Sequence, residues 1–221
     1  GVDAAKDQSY VVHMLPGREL ERTLFPIGHL TKAEVRARAS ALGLRTAAKP
    51  DSQDVCFITH EGGRERFLGE RIPFRRATVV DVGTGARVGE IEAVEMVTVG
   101  QRRGLGLAGG GPKQFVVAID HEAAVVSVGD ESLLSTPTTD VGSATWPHAV
   151  PDEGSVIDAR VQCSAHGEAL SARVHVGAGG GAVVAWAEPH RIVSPGQTVV
   201  FYSPEDDRVL GGGLVRPPRR P

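Results

Sequence analysis

The chain is 221 residues long, 41% hydrophobic by composition, and carries a formal net charge of -3. That length allows one large or two to three small domains, and no apolar run nears the ~20 residues of a bilayer span, so a soluble, cytoplasmic protein is expected. The acidic balance excludes nucleic-acid binding through bulk positive charge, and two cysteines outside any CxxC pattern with eight scattered histidines exclude a disulfide framework or a zinc site.

The opening stretch, GVDAAKDQSY, reads as the interior of a longer chain. Asp7 is placed to cap a helix over Gln8 to Leu15, with Val11, Val12 and Leu15 as its apolar residues and Pro16-Gly17 as a hard stop. Thr31 and Glu34 form a capping box, Val35, Ala39 and Leu42 share a stripe, and Gly43 offers a left-handed closing residue, so Lys32 to Leu42 is predicted as helix. The run DSQDVCFI at 51–58 passes from turn-forming residues into strand propensity, which places Cys56 at the start of a strand or on the loop entering it.

Beyond Pro73 helical periodicity stops. Short β-type runs alternate with glycine-rich turns: ATVVDV, QFVVAID, AVVSVG, SVIDARVQC, LSARVHV, AVVAWA, QTVVFY and VLGGGLV. Many closely spaced short strands favour barrels or sandwiches over a parallel sheet. Pro137, Pro147 and Pro151 mark 136–151 as a linker or strand-poor connection. The predicted fold class is therefore α+β and multidomain. Its parts are the helical remnant of an α/β domain over 1–66, a small β-rich central domain over 67–135 and a C-terminal antiparallel β-barrel over 136–221.

Basic residues cluster at Arg64, Arg66, Arg71, Arg75 and Arg76, at Arg102 and Arg103, and at Arg216, Arg219 and Arg220. On charge alone each reads as a solvated face. Cys56 is the one candidate covalent centre, although a lone cysteine entering a strand is more often a small buried hydrophobe. Cys163, in the alternating run ARVQC, reads as packing.

Five segments occur in order: KDQSY at 6–10, LFPIGHLTKAEVR at 24–36, DSQDVCFI at 51–58, VGQRRGLGL at 99–107 and SPGQTVVFY at 194–202. In this order they resemble the tRNA-specific 2-thiouridylases, over essentially the whole chain. The resemblance implies an enzyme that thiolates C2 of the wobble uridine of tRNA, with ATP and Mg bound in an N-terminal pyrophosphatase-loop region. It implies that Cys56 bears a persulfide, that a second cysteine lies upstream, and that a disulfide bond and a sulfur-donor protein, a cysteine desulfurase or relay protein, belong to the cycle. It further implies tRNA contacts by Lys6, Asp7, Gln8 and Gln197, with Arg102 and Arg103 as phosphate contacts.

Departures limit the transfer. The Ser-Gly-Gly-x-Asp-Ser phosphate loop is absent, and Gly109 to Gly111 lead into Pro112 rather than a helix-opening Ser or Lys. Where many relatives carry an Arg-Tyr pair, this chain reads QCSAHGEAL, with Ser164 and Ala165 at the place and His166 as the nearest partial replacement. This chain alone is expected to be inactive, and the competing reading is a non-catalytic tRNA-binding or interaction module in which Cys56 is structural.

Overall fold

A computed structural model describes residues 1–51, 63–107, 111–165 and 167–217. They form an α+β chain with two compact units, one made of 1–50 together with 137–221 and the other of 51–136. None of the described helices is long and apolar enough to cross a membrane.

The first unit opens on short helical pieces: a 3₁₀ turn at Ala4–Lys6, α1 at Ser9–Val12, α2 at Gly17–Leu20 and α3 at Lys32–Ala41. The helix expected over Gln8 to Leu15 is a single turn. Asp7 Oδ1 accepts from the Ser9 amide, at 2.8 Å, and so closes a tight turn rather than capping a long helix. His13 Nδ1 then lies 2.7 Å from the Tyr10 carbonyl, and Leu15 donates to Val12 in a 3₁₀ bond that ends the α geometry before Pro16. In α3 the expected capping box is present, Thr31 Oγ1 accepting from the Glu34 amide and the Glu34 carboxylate from the Thr31 amide. Gly43 follows at φ +67°. The stripe of Val35, Ala39 and Leu42 is not buried, and Leu42 is 75% exposed.

The rest of this unit is a closed antiparallel barrel of β5 (Ser135–Thr145), β6 (Val156–Gln162), β7 (Leu170–Val176), β8 (Ala182–Arg191), β9 (Thr198–Tyr202) and β10 (Val209–Val215). Its strand order is β10-β5-β8-β7-β6-β9. The period-2 pattern sets the register: Ala172, Val174 and Val176 pair with Trp186, Val184 and Ala182, and all six face the core. Phe201, Val161 and Trp146 fill the same interior, each such side chain contributing about 1.5–3 kcal/mol by leaving water. Strand β5 overturns the linker expected at 136–151. Pro137 is tolerated close to the strand's start, Val141 faces the core, and buried Thr139 accepts a 2.9 Å bond from the Trp186 indole.

Strand β9 is buried along nearly its whole length because both of its faces are covered. Val199 and Phe201 point into the barrel, while Val200 and Tyr202 form a second cluster with Ala169 and the partly buried Tyr10 of α1. His13, only 4% exposed, presses on β10 at Gly212, where an added Cβ would lie 2.6 Å from its ring. The barrel wall thereby fixes the segment that follows Lys6 to Gln8.

The second unit holds α4 (Gly63–Gly69) and a four-stranded sheet of β1 (Ala77–Asp81), β2 (Arg87–Ile91), β3 (Phe115–Asp120) and β4 (Val125–Gly129), in the order β2-β1-β4-β3. The short strands favour barrels or sandwiches over a parallel sheet, yet one pair here, β1 and β4, runs parallel, Thr78 opposite Val125 and Asp81 opposite Val128. The long connection between β2 and β3 makes this topology possible, since parallel neighbours cannot be joined by a hairpin. Val79, Val94, Leu105, Val116, Val126 and Val128 form the core beneath it.

Candidate tRNA-contacting sites

Two segments nearly 190 residues apart meet in the first unit. Tyr10 Oη donates to the Thr198 carbonyl at 2.9 Å, tying α1 to the start of β9 directly after the Ser194 to Gln197 turn. That turn is closed by Gln197 N donating to the Ser194 carbonyl and by Gly196 at φ +82°, and Gln197 is exposed at its end. Lys6 and Gln8 are exposed, and Asp7 is half-buried with its carboxylate on the Ser9 amide.

Beside Asp7 and Gln8 opens a cavity of about 650 Å³, lined also by Arg160, Tyr202, Asp206 and Arg208. Arg160 and Tyr202 are register partners on β6 and β9. Tyr202 donates to Gln162 Oε1 at 2.8 Å, while Gln162 Nε2 donates to the Ser164 and Gly167 carbonyls. Burial, with the charges of Asp7 and Asp206 and neighbouring Tyr10, pushes the Tyr202 hydroxyl up to about 12. None of the cavity residues beyond Asp7 and Gln8 belongs to the sequence-predicted set. Arg160 and Gln162 alternate with buried Ala159 and Val161, which marks them as outward-facing, but only the β6–β9 register puts them beside Tyr202.

Cys163, packed on the barrel core, is a free thiol that burial pushes up to about 12. A thiolate is the reactive form, so Cys163 is held inert near neutrality. Because both raised groups ionise more easily in the unfolded chain, their stabilising effect is complete below the ordinary values of 9.0 and 10.0 and is lost towards 12. Urea midpoints measured from pH 8 to pH 12 should therefore fall, and Cys163→Ser combined with Tyr202→Phe should flatten the fall. An equally steep decline in that double variant would assign alkaline sensitivity to other groups.

Arg102 and Arg103 lie in the second unit on a well-anchored loop. Gln101 Oε1 accepts from the Thr98 amide at 3.2 Å, its Nε2 donates to the Arg103 carbonyl at 2.8 Å, and its own carbonyl accepts from Val116 at 2.9 Å. Leu105, 3% exposed, plugs into the core, and Gly106 at φ +62° passes against β2, where a Cβ would stand 2.2 Å from the Glu90 carbonyl oxygen. Both guanidinium groups are exposed and have no side-chain partner among the described residues. The earlier arginines differ: Arg66 pairs with Glu70, Arg75 with Glu95 and Arg76 with Glu92, each at 2.9 Å, and Arg64 donates to the Met96 carbonyl. The paired set is a solvated face, whereas Arg102 and Arg103 keep their charge available.

Cys56 lies outside the described residues, as does His166. Residues 1–60 match the sequence model of the tRNA methyl transferase HUP domain, 65–130 that of the tRNA methyl transferase PRC-barrel domain, and 138–215 that of the aminomethyltransferase beta-barrel domain. A protein of Roseiflexus sp. (strain RS-1) named tRNA-specific 2-thiouridylase MnmA is 42% identical over 221 residues, covering 97% of this chain and 56% of that protein. Proteins of the same name from Mycobacterium tuberculosis (strain ATCC 25618 / H37Rv) and Chloroflexus aurantiacus (strain ATCC 29366 / DSM 635 / J-10-fl) are each 42% identical over 219 residues, 59% of their length. The chain belongs to the tRNA-specific 2-thiouridylase family.

It spans a little over half the length of these 2-thiouridylases. The domain descriptions speak of methyl transfer and the relatives' names of thiolation. The relatives named for thiolation are 42% identical over 97% of this chain, so we give their names the greater weight. The described residues do not fit ATP. Gly111 leads through Pro112 towards β3 and not into a helix N-terminus, and no described segment has the Ser-Gly-Gly-x-Asp-Ser pattern.

Proposed function

We propose that this chain provides the sulfur-carrying and tRNA-contacting parts of a cytoplasmic tRNA 2-thiouridylase, an RNA-binding transferase of tRNA modification that thiolates C2 of the wobble uridine. In this reading Cys56 carries the sulfur as a persulfide received from a donor protein, a cysteine desulfurase or relay protein. A persulfide's terminal sulfur is a soft nucleophile at neutral pH, which suits transfer to an electrophilic carbon. ATP, with Mg, binds to residues outside this chain, and the disulfide expected of the cycle pairs Cys56 with a cysteine that is likewise outside it. The division into 1–66, 67–135 and 136–221 belongs to the same proposal and is supported by the matched ranges 1–60, 65–130 and 138–215.

The observation that carries the tRNA part is the contrast between Arg102 and Arg103, on an anchored loop and without a side-chain partner among the described residues, and the acid-paired arginines around them. Lys6, Asp7, Gln8 and Gln197 add contacts suited to phosphate, ribose and base edges. With a net charge of -3, binding should rest on few phosphates. A plot of log K against log salt for a tRNA transcript should be shallow, and Arg102→Ala with Arg103→Ala should reduce its slope by roughly 1–2. An unchanged slope would return both residues to the solvated face. Mass spectrometry of tRNA incubated with the protein joined to its relatives' remaining length, ATP and a sulfur donor tests the reaction itself. A non-catalytic tRNA-binding module is the second reading, favoured by the same poor fit to ATP, and it predicts binding without 2-thiouridine.

A further inference from the structure

The cavity beside Asp7 and Gln8 has the size of a site for one nucleoside, at about 650 Å³. Much of its polar lining is already engaged. Tyr202 donates to Gln162, which donates to the Ser164 and Gly167 carbonyls, and Asp207 Oδ1 accepts from Ser203 Oγ at 2.6 Å. Four groups have capacity left. The Gln8 amide and the Arg208 guanidinium have no side-chain partner among the described residues. Among the described residues the Asp206 carboxylate is met only by Arg160, whose Nε stands 3.7 Å away, buried and without a hydrogen bond, while its Nη2 donates to the Ala169 carbonyl. The cavity thus offers donors and acceptors side by side.

That mixture decides the ligand class. Asp7, Glu168, Asp206 and Asp207 outnumber Arg160 and Arg208, so a phosphate would meet net repulsion. No group of three His, Cys, Asp or Glu residues among those described is arranged to hold a metal ion. An uncharged ligand with an acceptor edge and a donor edge satisfies both signs. Guanine has this pattern, O6 and N7 accepting from arginine while N1–H and N2–H₂ donate to a carboxylate. Uracil lacks an exocyclic donor. Unpaired RNA bases are splayed out and read in this manner.

We propose that this cavity receives one unpaired guanine of the bound RNA, with Arg208 on its acceptor edge, Asp206 on its donor edge, and Arg160 holding Asp206 in place. The proposal rests on the tRNA-binding reading above and deepens it. Asp206 sits at φ +60°, a conformation that asparagine tolerates well, so Asp206→Asn keeps the turn while removing the charge. The Arg208 side chain anchors nothing described, so Arg208→Met is also expected to fold.

The test is fluorescence anisotropy of the whole chain with labelled RNA pentamers UUXUU, X being G, A, C or U, alongside a full tRNA transcript. The G pentamer should bind about ten-fold tighter than the U pentamer, the discrimination of a good bidentate base contact. Asp206→Asn and Arg208→Met should each bring G and U within about two-fold while leaving the U pentamer unchanged. Arg102→Ala should weaken all pentamers alike. Equal binding of the four pentamers, or a G preference that survives both cavity variants, overturns the guanine site and leaves the tRNA reading intact if the transcript still binds. No binding of transcript or pentamers overturns both.

Discussion

Replacing Cys56 by serine, in the protein that carries the remaining length of its relatives, is expected to reduce 2-thiouridine formation to background while tRNA affinity stays within about two-fold of the parent. Serine cannot hold a terminal sulfur, so no partial activity is expected. Cys163→Ser serves as the comparison because the proposed function gives the two thiols different roles. Cys163 is packed on the barrel core and shifted up to about 12, so its replacement should cost about 1–3 kcal/mol through a buried hydroxyl while sparing the chemistry. The paired measurement is thermal midpoint and 2-thiouridine yield for both variants. Substantial yield from Cys56→Ser, or a loss that merely follows its unfolding, would remove the persulfide role and strengthen the reading as a binding module.

Strands with an uninterrupted β-branched or alternating run were legible from residues alone. LSARVHV and AVVAWA show period 2, and their outward polar residues mark one face of a barrel wall. The strands that escape such reading are β2 and β5. In β2, Gly89 replaces a side chain because the Gly106 carbonyl would lie 2.9 Å from its Cβ. In β5, Thr, Gly and Ser stand where hydrophobes would announce a strand, and their fit is explained only by partners such as Trp186 and Arg216. The helix over Gln8 to Leu15 fails for a related reason: Tyr10 and His13 are held by the barrel, and tertiary contacts set the local conformation. The motif residues of the site could be named from resemblance, but the cavity could not, because the Arg160–Tyr202 pairing spans 42 residues and leaves no local signal.

Gly106→Ala should be the most damaging single-methyl change in the second unit. Gly106 combines φ +62° with an approach in which the new Cβ would stand 2.2 Å from the Glu90 carbonyl oxygen, a backbone atom that cannot rotate away. The left-handed conformation costs an L-residue about 1–2 kcal/mol, and moving β2 or the loop adds more, so a total of about 3 kcal/mol or above is expected. Gly104→Ala isolates the first effect from the second. It has φ +72° but nothing nearer than Gln101 Nε2 at 3.8 Å, so it should cost only the conformational ~1–2 kcal/mol. Function should divide the same way. Displacing Gly106 unseats neighbouring Leu105 from the core and with it the loop that presents Arg102 and Arg103. Urea midpoints at constant m and salt-dependent tRNA binding, measured on both variants, make the comparison. Gly106→Ala should lose stability and reduce the salt slope as far as removing the two arginines does, with Gly104→Ala close to the parent in slope. Equal costs in the two variants would mean that the contact with β2 does not hold the loop, and that the placement of Arg102 and Arg103 depends on the Gln101 hydrogen bonds alone.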